Sequence, residues 1–138
     1  MVHAQRMGEY LRYRSALGFR LSELAILITA REWSQQVEWA IHAPIAQSAG
    51  IRPEVIEAIA QRRPPDCLST EEVVVYEFSM QLHRNRQVSD TTWARALALF
   101  SEGGVVDLIG ICGYYSFLAM VMNAARTEVP PSTTPPLP

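Results

Sequence analysis

Glu23, Glu38 and His42 are the residues whose types and positions could move a proton. On a helix, Gln35, Glu38 and His42 stand at i, i+3 and i+7 and share one face. A carboxylate beside an imidazole makes an acid/base pair. Two carboxylates around one ring raise its pKa and hold it near working pH even when burial pushes the other way. Val37, Ile41 and Ile45 form a neighbouring stripe that can face the core. Glu23 is harder to place. Were residues 23 to 42 one straight helix, Glu23 and His42 would lie roughly 28 Å apart at 1.5 Å per residue. For the two groups to act together the chain must fold back near Trp33-Ser34, which would put them at similar distances along opposing arms.

Each of these residues also has a plainer structural reading. Glu23, directly after Ser22, can simply favour a helix N-terminus. Glu38 and His42 can form an exposed i,i+4 pair worth a few tenths of a kcal/mol. As a metal site the set is thin, because Glu-x3-His offers two ligands and spacing fixes no third. Tyr114 and Tyr115, in an apolar stretch, read as core or interface residues as readily as catalytic ones.

The elements that must position these groups are helical. No short alternating run bounded by turn signals appears, while helical periodicity recurs throughout. A short amphipathic helix is expected over Gln5–Leu17, ended by Gly18. Ser22 can cap a second over Glu23–Arg31, apolar nearly all round. Ser34 can cap a third, bent at Pro44 and stopped by Gly50. Pro53 starts a helix through Gln61. Ser69-Thr70-Glu71-Glu72 has capping-box spacing and should open a helix to about Arg84. Val88-Ser89-Asp90 opens another through Phe100, and Gly103-Gly104 separates it from a long helix, Val105–Ala125. The pattern predicts an all-α domain of six or seven helices over residues 1–128. The tail 129–138 holds five prolines and is expected to be extended and mostly disordered.

Bulk properties narrow the classes. With 138 residues, 49% of them apolar, the chain is one domain able to bury a core. A formal charge of -2 gives no electrostatic case for nucleic acid or an anionic membrane. Lysine is absent, so every cationic side chain apart from histidine is arginine. Cys67 and Cys112 lie far apart in different contexts, form no C-x-x-C and define no disulfide framework, which fits a reducing cytoplasm. Met1–Met7 carries a His and an Arg rather than an apolar core, so no secretory leader is expected. Val105–Ala125 is about the length of a bilayer span, but Asp107, Ser116, Asn123 and the paired tyrosines favour a helix buried on all sides, partly by another subunit.

Taken together, these residues resemble the carboxymuconolactone decarboxylase / alkylhydroperoxidase D-like superfamily. Its signature is a Glu, eleven residues, a Cys-x-x-Cys pair, three residues and a His. Here Glu23 and His42 occupy the outer positions, and Gln35 and Glu38 stand where the cysteines would be. The stretch ELAILITAREWSQQVEWAIHAPIA looks like the Glu-Trp-x-x-His form of cysteine-less members. ALALFSEGGVVDLIGICGYYSFLAMVMNA is similar to a later segment of the same branch, and the resemblance covers about residues 8 to 128. It implies an alkylhydroperoxidase D-like bundle assembled as homotrimers or homohexamers.

The lost cysteines exclude thiol peroxidase chemistry, which needs an attacking thiolate and a resolving thiol. What the resemblance then implies is a cofactor-independent decarboxylase, or a related lyase or isomerase, acting on a small organic acid or lactone. His42 would shuttle the proton, Glu38 would partner it or act as a second acid/base, and Glu23 would orient His42. Trp33, Gln35, Tyr115 and Asn123 are the expected substrate contacts. Trp33 and Tyr115 would form a wall that excludes water, and Asn123 would bind a carboxylate or carbonyl. No metal or cofactor is expected. The alternative is a non-catalytic, oligomeric small-molecule-binding protein of the same fold.

Overall fold

Local capping chemistry sets the helix boundaries, and two caps fall on residues other than the expected hydroxyl side chains. The computed structural model describes all 138 residues as α1 (Val2–Tyr13), α2 (Phe19–Glu32), α3 (Gln36–Ser48), α4 (Pro53–Ala60), α5 (Thr70–Asn85) and α6 (Asp90–Ala125), with no strand. Helix α2 starts one turn earlier than Ser22 implies, with Gly18 as N-cap at a positive φ of 84°. Ser22 lies inside the helix, its hydroxyl bonded back to the Gly18 carbonyl at 2.9 Å. Helix α3 is capped by Gln35, whose side-chain oxygen accepts from the Val37 and Glu38 amides. Ser34 instead takes a left-handed conformation in the corner before it. The Ser69–Glu72 capping box at α5 forms as the spacing indicates.

Helix α2 is the centre of the molecule. Every residue from Leu21 to Arg31 is buried, and α3, α5 and α6 all pack on it, with α1 and α4 adding smaller contacts. Helix α6 is broken at Ser101 (φ 60°, ψ 176°), so its arms are 90–100 and 102–125. The break comes two residues before the expected Gly103-Gly104. Gly104 is needed for another reason, because a Cβ there would lie 2.6 Å from the Phe100 Cβ.

The second arm of α6 is not buried on all sides. It packs through Val105, Leu108, Ile111, Cys112, Tyr115 and Ala119 and exposes Val106, Ile109, Phe117, Met120 and Val121. By length and composition α6 is long and apolar enough to cross a membrane, although core helices of soluble proteins meet the same criteria.

The proline-rich tail is extended, as its composition implies, and its end docks on the first residue of α3. Gln36 accepts from the Leu137 amide at 2.8 Å and donates to its carbonyl at 2.9 Å. The Leu137 side chain is buried with the core.

Candidate functional site

The sharp corner after Trp33 turns α3 back along α2, and that reversal builds the site. His42 Nδ1 donates to Glu23 Oε2 at 2.7 Å, and His42 Nε2 lies 3.2 Å from Glu38 Oε2. The imidazole is thus held between two carboxylates from two helices. Glu23 is 0% exposed, Glu38 6% and His42 3%, so this is a buried charge cluster rather than an exposed helix pair. Burial alone would push the His42 pKa down. The hydrogen bonds and charges of Glu23 and Glu38 outweigh it and hold the ring above its ordinary value.

The expected core stripe of α3 is only partly buried, because Val37 faces the interior as expected but the stripe beyond it does not. Gln35, Glu38 and His42 point inward, while Ile41 is exposed and Ile45 half-buried. Mutual pairing makes this possible, since buried charges are tolerated when paired and hydrogen-bonded.

Helix α1 supplies the outer wall. Arg12 Nε lies 3.7 Å from Glu23 Oε1, beyond hydrogen-bond length, and both atoms are buried with no hydrogen-bond partner. Gly8 lets α1 approach α6 closely, because a Cβ there would sit 2.4 Å from the Tyr114 hydroxyl oxygen. Asp107 secures the end of α1 by accepting from the Tyr10 hydroxyl at 3.0 Å and the Ala16 amide at 2.7 Å. Between α1, α3 and α6 lies a cleft of about 410 Å³, walled by Arg12, Glu38, His42, Tyr114, Tyr115 and Leu118 among others. That volume falls within the roughly 300–1,000 Å³ of small-molecule sites.

Tyr115 packs edge-on against His42, with ring centroids 5.4 Å apart. Burial, then the Glu38 and Glu23 charges, hold its phenol well above the ordinary range, so it stays protonated.

Of the expected substrate contacts, Tyr115 alone lines this cleft. Trp33, Gln35 and Asn123 meet one another elsewhere and tie the α2–α3 corner to α6. Gln35 Nε2 donates to Asn123 Oδ1 at 3.0 Å, Asn123 Nδ2 donates to the Trp33 carbonyl at 3.3 Å, and Trp33 Nε1 donates to Ser116 Oγ at 3.0 Å. Gln35 stands two helical turns from His42, and its carbonyl oxygen is engaged by its own helix.

Arg12, Gly8 and Tyr114 complete the wall. In the sequence α1 shows only the pattern of an amphipathic helix, and Arg12 carries no local signal, because its partner Glu23 is on the next helix. No group of three His, Cys, Asp or Glu side chains is placed to hold a metal ion. Both ring nitrogens of His42 already face carboxylates. Cys112 is buried, donates to Ser79 Oγ and has its thiol pKa pushed up to about 11 by that burial, far from thiolate chemistry. No family model, curated protein or solved structure matches the chain.

Proposed function

We propose that this protein is a cofactor-independent acid/base enzyme, a decarboxylase or related lyase or isomerase, acting on a small organic acid or lactone. The observation that carries this reading is the imidazole held between two carboxylates on the wall of a ligand-sized cleft. Support also comes from the sequence resemblance to the cysteine-less branch of the carboxymuconolactone decarboxylase / alkylhydroperoxidase D-like superfamily. The all-helical architecture agrees with a bundle of that kind.

In this reading Glu23 fixes the ring from below, and the imidazolium is the proton source at the cleft. In a decarboxylation the bond to the departing carboxyl breaks, and its electron pair passes into the conjugated system as CO2 leaves. A proton from His42 Nε2 then replaces the lost group on carbon, and Glu38 returns a proton from solvent to the ring. The Glu38 contact, the longer of the two, is the one that opens to admit substrate. Tyr115 closes the apolar side. The exposed apolar stripe of α6 supports assembly into homo-oligomers, trimers or hexamers in the related proteins. The two free cysteines accord with a cytoplasmic location.

A second reading, a binding protein without catalysis, draws on one observation: both ring nitrogens are engaged, leaving none free for a ligand. Assays with a panel of small lactones and β-keto acids separate the two. Turnover is expected in the wild type and should fall by about 10²–10⁴-fold in His42→Ala, with a marked loss in Glu38→Gln. Unchanged turnover in both variants overturns the acid/base assignment. Ligand binding with no turnover anywhere in the panel favours the binding reading.

A further inference from the structure

A second concentration of charge lies away from the His42 cleft, where the α2–α3 corner meets α4 and α5. Arg31 on α2, Arg62 and Arg63 after α4, and Arg84 on α5 line one recess together with Tyr76. Glu32 is the carboxylate that this cluster uses, and it is shared: Arg84 Nη2 lies 3.3 Å and Arg62 Nη1 3.7 Å from the same Oε1. Four arginines and one carboxylate therefore line the same recess, in a chain whose overall formal charge is -2.

The cluster is built rather than scattered. Arg31 is 8% exposed and is fixed by its Nε donating to the Ala60 carbonyl at 2.8 Å and its Nη1 donating to Ser34 Oγ at 2.8 Å. Arg62, itself in a left-handed conformation, donates from Nη2 to the Arg31 carbonyl at 3.2 Å. Burial first, and then the neighbouring Arg62 charge, lower the Arg31 pKa, while Glu32 only partly opposes them. The recess has a volume of about 10 Å³, room for one oxygen-sized group, and all four arginines line it.

We infer that this recess binds a phosphate-type oxyanion, either inorganic phosphate or the phosphate group of a monoester. One oxygen enters the recess beside Arg31, and the others meet Arg62, Arg63 and Arg84. A tetrahedral dianion suits donors converging from three chain segments, whereas a planar carboxylate is satisfied by a single bidentate fork. Because Arg31 and Arg62 also hold the corner at Ser34, an anion there would stabilise the turn on which the His42 arm depends. The inference does not rest on the proposed reaction.

The test is a thermal-melting titration of the whole chain with inorganic phosphate and, separately, with glycerol phosphate. Chloride at matched ionic strength and acetate serve as comparisons. At ten times its Kd, phosphate should raise Tm by roughly 4 °C. Arg63→Gln should weaken phosphate about tenfold or more, and Glu32→Gln, which removes the competing carboxylate, should tighten it. A larger response to glycerol phosphate than to phosphate identifies a monoester as the ligand, and the reverse identifies the free ion. The inference is overturned if neither phosphate compound exceeds chloride, if acetate matches them, or if both variants bind phosphate as the wild type does.

Discussion

His42 and His83 are imidazoles withdrawn from water on helices that flank α2, and their protonation equilibria move in opposite directions. For both, the largest influence is burial, which disfavours the charged ring. At His83 that influence wins. Its Nε2 donates to the neutral hydroxyl of Thr29 at 2.9 Å, and the Glu32 charge opposes burial only in part, so its pKa is lowered. At His42 a carboxylate stands at each ring nitrogen, and the pKa is raised. Burial sets the default, and directly hydrogen-bonded anions reverse it. A histidine's identity, or even its burial, therefore says little about its chemistry until its partners are known.

The sharpest way to break this contrast is Glu23→Ala. It removes the fully buried carboxylate and leaves the His42 ring and Arg12 Nε without it, at an expected cost of about 3–5 kcal/mol. Urea denaturation measures the loss, and a change below about 1 kcal/mol would show that the pair contributes little. Glu23→Gln keeps the shape without the charge. It should destabilise less and lower the His42 pKa.

Thr29→Val addresses the other histidine. It deletes the acceptor for His83 and the hydroxyl bonded to the Ala25 carbonyl, and should cost about 1 kcal/mol by the same measurement. Because the hydroxyl is uncharged, the His83 titration should scarcely move.

The smallest effects are read from the wild type by NMR titration of the two rings. His42 should titrate above 6.5 and His83 below it. The linked stabilities have opposite signs. The His42 contribution is complete below 6.5 and is lost as pH rises through the raised folded value. The His83 contribution is complete above 6.5 and is lost as pH falls through the lowered folded value. The reverse order of the two midpoints would refute the comparison.

Much of the frame was legible from local patterns. The helix class and the Ser69–Glu72 capping box follow from signals within a few residues, and the break in α6 lies two residues from the glycine pair that signals it. Glu38 and His42 sharing a face is likewise a property of one helix. The substrate-contact assignments were less legible. Trp33, Gln35 and Asn123 are polar groups near the motif in sequence, yet they satisfy one another and tie the corner to α6. Composition also failed to separate α2 from the second arm of α6. Both are strongly apolar, but α2 is sheathed by neighbours while α6 keeps one apolar face exposed.

Periodicity, caps and breakers act through backbone hydrogen bonds spanning about four residues, so the chain by itself determined where helices run and which side chains share a face. Which face turns inward is a different kind of question. A stripe of Gln35, Glu38 and His42 goes into the interior only because Glu23, from the antiparallel helix, meets the ring, and Arg12 from α1 approaches that carboxylate in turn. Those charges are far apart along the chain, and the energy that makes their burial tolerable exists only once the helices have packed.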